Sequence, residues 1–269
     1  MGYLQDIVAD VRRRLEERKR ELPIDSVRRL PLPPSPPSFV GALRAPGLGV
    51  VAEIKRMSPS KGRLRPDLDV ADLVRRYERA GAVAVSVLTE ADNFGGRLSD
   101  LATVVEAGSL PVLQKDFVVD EYQLWEARLR GASAVLLIVA VLEQADLLRH
   151  WETARFLGLD VLAEVHDEPQ LSRALALGEA VIGINNRDLR SFAVSLDTTF
   201  RLISLVPPDR AVVSESGVRG RDDYLRLQAA GVDGVLVGEH LLQQSDIEAA
   251  LRALVEGGLP GSAERGATV

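Results

Sequence analysis

Five short apolar, β-branched runs in this chain end on polar side chains that a solvated loop would not require. They are Val50-Val51-Ala52-Glu53-Ile54-Lys55, Pro111-Val112-Leu113-Gln114-Lys115, Val161-Leu162-Ala163-Glu164, Val181-Ile182-Gly183-Ile184-Asn185 and Ala211-Val212-Val213-Ser214-Glu215. A lysine and a glutamate held at one mouth supply a proton donor and acceptor with separately tunable pKa values, the minimum for acid–base chemistry. Each has a plainer reading too. Glu53 beside Lys55 can be an ion pair that plugs a barrel, Lys115 a rim lysine bridged to Asp116 or Glu164, and Glu164 a counter-charge for the lysines.

Alternate side chains of a strand share a face, so Glu53 and Lys55 point the same way. Asn185 is in phase with the inward face, where an amide can hydrogen-bond a substrate hydroxyl. Its neighbours Asn186 and Asp188 suit a turn from strand to helix. Glu215-Ser216-Gly217 and Gly238-Glu239 follow two further runs, and glycine there lets backbone N–H groups approach a phosphate. His150, His166 and His240 are expected on a helix, a loop and a strand end; their spacing suggests no metal site and they receive no role. Trp125 and Trp151 fall in helical patterns, where packing is the default.

The elements that must position these residues alternate strictly. Strands are expected near 50–55, 83–88, 111–115, 134–139, 160–164, 181–185, 211–215 and 234–238. Helical patterns lie between them, near 69–80, 97–107, 120–130, 143–157, 167–177, 198–205, 220–230 and 246–256. Eight β-then-α units with right-handed crossovers close into an α/β fold, a (β/α)8 TIM barrel, whose catalytic groups gather at the C-terminal ends of the strands. No glycine fingerprint of an open dinucleotide-binding sheet follows the first strand. Gly81, Gly131, Gly158, Gly178 and Gly231 stand where left-handed helix caps are expected.

Ahead of the barrel, Gln5 to Glu21 reads as an amphipathic helix, with Ile7, Val8, Val11 and Leu15 on one face. Its basic runs, Arg12-Arg13-Arg14 and Arg18-Lys19-Arg20, are interleaved with glutamates and read as a solvated face rather than an RNA-binding one. A proline-rich connector at 31–37 and a short helix near Phe39 to Leu43 follow. The division is therefore 1–48 as an N-terminal helical extension packed on the barrel, 49–257 as the barrel, and 258–269 as a flexible tail.

The 269 residues, 46% hydrophobic and 4% aromatic, permit one large aliphatic core. A formal charge of −6 argues against broad nucleic-acid binding. With zero cysteines there is no disulfide framework or thiolate zinc site. The start lacks the order of a signal peptide, and no apolar run approaches the roughly 20 residues that span a bilayer. A cytoplasmic protein without membrane attachment is expected.

At this point the chain closely resembles the indole-3-glycerol phosphate synthase family. The carriers are Ala52-Glu53-Ile54-Lys55-Arg56-Met57-Ser58-Pro59-Ser60-Lys61-Gly62, Ser86-Val87-Leu88-Thr89-Glu90, Leu113-Gln114-Lys115-Asp116-Phe117, Ile182-Gly183-Ile184-Asn185-Asn186-Arg187-Asp188-Leu189 and Val213-Ser214-Glu215-Ser216-Gly217. The resemblance implies ring closure of 1-(2-carboxyphenylamino)-1-deoxyribulose 5-phosphate to indole-3-glycerol phosphate, a carbon–carbon lyase reaction of tryptophan biosynthesis that releases carbon dioxide and water. It implies Lys115 as the acid at the substrate ketone and Glu164 and Lys55 as the acid and base of dehydration. Glu53 would orient the lysines, with Asn185 and Glu215 on the sugar hydroxyls. Ser58 and Arg187 would line the site, and Phe94, Phe117, Leu136 and Leu189 would wall in the anthranilate ring. Ser216, Gly217, Gly238 and Glu239 would form the phosphate pocket, Glu239 through its backbone. Met57 and the segment 91–96 depart from the family's usual pattern. No cofactor or metal is implied, the partner is a small phosphosugar substrate, and the chain would act as a monomer or weak homo-oligomer.

Two other readings fit the bare residues. One is a phosphosugar barrel lyase, such as a Schiff-base aldolase using Lys55 or Lys115. The other is a non-catalytic phosphosugar-binding barrel.

Overall fold

Runs rich in Val, Ile, Leu and Ala, apolar on both faces, form the strands of this protein because each is covered by helices outside and by its opposite strands inside. The computed structural model describes residues 3–58, 62–65, 68–188 and 191–256. Helices α1 (Tyr3–Glu21), α2 (Ile24–Val27) and α3 (Phe39–Leu43) come first, followed by strand β1 (Gly49–Ile54) and a hairpin of β2 (Met57–Ser58) and β3 (Gly62–Arg63). The remaining units are α4 (Val70–Arg79), β4 (Ala84–Leu88), α5 (Leu98–Ala107), β5 (Val112–Lys115), α6 (Glu121–Leu129), β6 (Ala134–Ile138), α7 (Gln144–Phe156) and β7 (Asp160–Val165). They continue through α8 (Glu168–Leu175), β8 (Val181–Asn185), α9 (Asp197–Ile203), β9 (Val212–Glu215), α10 (Arg221–Ala229), β10 (Gly234–Val237), α11 (Glu239–Leu242) and α12 (Ile247–Val255).

The eight strands β1 and β4 to β10 pair in parallel, and β1 also pairs with β10, closing the barrel. Val51, Leu113, Leu136, Leu162, Val213 and Leu236 fill its interior, a packed core rather than a pore. From the floor, α3 inserts Phe39 and Leu43 into the same cluster. Asp160 Oδ2 anchors that helix by accepting from the N–H groups of Phe39 (2.8 Å) and Val40 (3.0 Å). Asp69, Asp120, Asp167 and Asp246 cap α4, α6, α8 and α12 by accepting backbone N–H bonds.

Gly81, Gly131, Gly158 and Gly231 have left-handed φ values of 89°, 81°, 71° and 82°, as expected of caps. Gly178 differs. Its backbone is not left-handed, and a Cβ there would lie 2.4 Å from the Trp151 ring, so the absent side chain makes room for indole packing. The amphipathic helix α1 turns Ile7, Val11 and Leu15 inward. Part of its basic face is not simply solvated: Arg14 pairs with Asp92, Arg18 with Glu126 at 3.2 Å, and Lys19 with Asp120 at 2.6 Å, tying α1 to the barrel. The expected tail, 258–269, lies outside the described residues. Among the described residues no helix is long and apolar enough to cross a membrane.

Candidate active site

The alternation that buries Val51, Leu113, Leu162 and Val213 in the barrel carries the next inward positions, Glu53, Lys115, Glu164 and Glu215, to its rim. They line one cavity of about 640 Å³, together with Lys55 and Asn185. Lys55 Nζ lies 2.5 Å from Glu53 Oε1. Lys115 Nζ donates to Glu215 Oε2 and lies 3.7 Å from Glu164 Oε2. Lys115 does not pair with Asp116, the alternative open from sequence. The Asp116 carboxylate is engaged elsewhere: its Oδ2 accepts from Thr89 Oγ1 at 2.5 Å and its Oδ1 from the Phe117 N–H at 2.8 Å.

Glu215 is fully buried, and its Oε1 has no hydrogen-bond partner. Burial, with Glu164 and Glu53 nearby, raises its pKa to about 7 even though Lys115 opposes the shift. For Lys115, burial disfavours the ammonium, but Glu215, Glu164 and Glu53 outweigh it and raise the pKa. Glu53 is also penalised by burial, yet Lys55 and Lys115 hold its pKa below the usual carboxylate range. Three carboxylates and two lysines thus share one enclosure with a proton that can be held or released near neutrality.

Asn185 Oδ1 accepts from Ser216 Oγ and from the Arg187 N–H, both at 3.0 Å, which leaves its NH2 donors for a ligand. Asn186 has the turn-building part: its side chain joins Ser214, the carbonyls of Glu215 and Ser216, and Thr199. Asp188 likewise accepts from Ser191 within its own loop. Ser216 and Gly217 are both left-handed, with φ of 64° and 98°. Gly238 caps α11 and, with Glu239, borders the cavity beside them; Arg187 reaches Glu239 across the mouth at 3.7 Å. Phe94 and Phe117 face each other with ring centroids 6.3 Å apart, and Leu136 joins them in the lining. Ser58 also lines the cavity, with a buried hydroxyl lacking a partner. Leu189 lies outside the described residues.

A family model described as indole-3-glycerol phosphate synthase matches residues 4–254. The chain belongs to the indole-3-glycerol phosphate synthase family. It is 48% identical over 255 residues to indole-3-glycerol phosphate synthase of Nocardioides sp., covering 94% of this chain and 98% of that one. It is 50% identical over 223 residues to indole-3-glycerol phosphate synthase 2 of Streptomyces coelicolor, covering 82% and 86%. Among solved structures, 3-hexulose-6-phosphate synthase from Salmonella typhimurium shares the fold alone, with a TM-score of 0.63 at 11% identity over 77% of this chain and 96% of that one.

For this member of the indole-3-glycerol phosphate synthase family, several lining residues carried no assignment from sequence. Leu4 and Ile7 of α1 reach the cavity, as do Phe192, Arg219 and His240. Ile7 was visible as part of the apolar stripe of α1, but its target was not. His240, expected at a strand end, lies in α11, a four-residue helix too short to show a period. Among the described residues no cluster of three or more His, Cys, Asp or Glu is arranged to hold a metal ion.

Proposed function

We propose that the rim cluster closes the indole ring of 1-(2-carboxyphenylamino)-1-deoxyribulose 5-phosphate, with Lys115 as the acid at the ketone. As the aromatic carbon attacks, the new carbon–carbon bond places charge on the ketone oxygen, and the Lys115 ammonium supplies its proton. Loss of carbon dioxide restores the aromatic ring. Expulsion of the remaining hydroxyl then uses Glu164 and Lys55 as acid and base. Glu53 orients the lysines, while Asn185 and Glu215 bind sugar hydroxyls and assist proton transfer. Phe94, Phe117 and Leu136 enclose the flat anthranilate ring and exclude water, with Leu189 in the same role. Ser58 and Arg187 line the site, and Ser216 with the backbones of Gly217, Gly238 and Glu239 takes the phosphate.

One observation carries this reading: Lys115 contacts Glu215 and faces Glu164 in the cavity that also holds the Lys55–Glu53 pair. The raised pKa of Lys115 keeps its proton in place for donation and opposes a Schiff-base nucleophile, which must lose that proton to attack. The absence of cysteine from the sequence supports a cytoplasmic setting. The test is fluorescence detection of indole product from the carboxyphenylamino substrate. Product formation is expected; a borohydride-trapped lysine adduct with no indole emission would favour an aldolase instead.

A further inference from the structure

His166 follows β7 two residues after Glu164, and its imidazole is fixed by Gln170 of α8. Gln170 Nε2 donates to Asp167 Oδ2 at 3.1 Å, which only an N–H group can do, so the orientation of the amide is determined. Its Oε1 therefore faces His166, accepting from the backbone N–H at 3.1 Å and lying 3.3 Å from Nδ1. Two acceptors cannot bond without a proton between them, so Nδ1 carries hydrogen. In the neutral ring Nε2 is then the bare nitrogen. It is buried without a hydrogen-bond partner and lies 3.7 Å from Glu164 Oε1.

A bare nitrogen facing a carboxylate is an unfavourable pairing of two acceptors, relieved when one proton sits on either group. The other Glu164 oxygen faces Lys115 at the same distance, 3.7 Å. Asp167 stands behind Gln170, and Arg173 lies further along α8. Arg173 turns its guanidinium toward the carbonyls of Val139 and Leu142.

We propose that His166 is a positioning residue that shares one proton with Glu164, passing it from Nε2 to the carboxyl, which then gives it to the departing hydroxyl. In that step the Nε2–H bond breaks and the Glu164 Oε1–H bond forms, leaving a neutral imidazole protonated on Nδ1; solvent then reprotonates the ring. The 3.7 Å separation must shorten for transfer, as such contacts commonly do once substrate is bound. His166 does not line the substrate cavity, so it acts through Glu164 and not on the substrate. The inference rests on the role of Glu164 given above.

The test pairs kinetics with imidazole NMR on the full chain. H166N should lower kcat at least about tenfold while KM stays within about twofold, and should displace a limb of the kcat–pH profile. In the wild type, 15N-resolved spectra should show the neutral ring protonated on Nδ1, and Q170L should release that preference. Wild-type kcat and an unchanged pH profile in H166N would overturn the proposal. So would a neutral ring protonated on Nε2, a measurement that needs no variant to fold. These outcomes are separable from failure of the broader reading: a fully active E164Q would remove Glu164 from the chemistry, whereas an Nε2–H ring with inactive E164Q would remove only His166.

Discussion

A methyl group on Gly183 would lie 2.4 Å from Glu215 Oε1, so the buried carboxylate occupies the space a side chain on β8 would fill. The inward position between Val181 and Asn185 is empty in order that the neighbouring strand can project a long side chain under Lys115. Gly238 does the same for Glu53, since its Cβ would stand 2.4 Å from Glu53 Oε1 and 2.9 Å from Glu53 Cβ.

Gly183→Ala should therefore displace Glu215 and separate it from Lys115. Overpacking of this kind costs about 1–3 kcal/mol in stability. A larger loss is expected in kcat than in substrate affinity, measured by steady-state kinetics with calorimetric unfolding alongside. Wild-type kcat in the alanine variant would show that the carboxylate needs no such seat.

Lys115→Ala should remove at least about 3 kcal/mol of transition-state stabilisation, the scale of a lost acid–base group, with the barrel still folded by circular dichroism. Turnover equal to wild type would exclude Lys115 as the acid.

The raised pKa of Glu215, about 7 against an ordinary 4.5, fixes the direction of a pH effect on stability. Between those values the folded chain holds a proton that the unfolded chain has released. Stability from this group is thus fully present below about 4.5 and is lost as pH rises toward 7. Glu215→Gln should flatten the decline of unfolding free energy over this window, as read from denaturant titrations at several pH values. An unchanged slope would mean that Glu215 titrates normally in the folded state.

Ile7 is 3% exposed on α1 and also borders the cavity. Deleting residues 1–30 should raise KM for the phosphorylated substrate several-fold and reduce stability, because the seats of Ile7, Val11 and Leu15 on the barrel would open to water. An unaltered Michaelis constant in a folded truncation would show that α1 contributes nothing to binding.

Strands and helices were legible because their apolar runs are long enough to reveal a period, and β8 spans Val181–Asn185 as expected. The β2–β3 hairpin, with two residues in each strand, and the four-residue α2 and α11 offer no period to read. The rim was legible for the same reason as the strands: inward alternation brings Glu53 and Lys55 together, and the structure pairs them. His166 stands two residues beyond Glu164, the same offset, so its side of the chain was available from sequence. Its fixed tautomer was not, because that depends on the rotamers of Gln170 and Asp167. The rooms that Gly183, Gly238 and Gly178 leave for Glu215, Glu53 and Trp151 were also hidden, since each is occupied by a side chain from another element.

Glu53 belongs to the first barrel strand, and the residue that makes room for it, Gly238, comes directly after the last. The carboxylate reaches its seat only when the two ends of the sheet have met along the β1–β10 seam. Recovery of turnover during refolding would consequently time the zipping of that seam, an event separated by nearly the whole length of the barrel sequence, whereas recovered helix signal would report only local order.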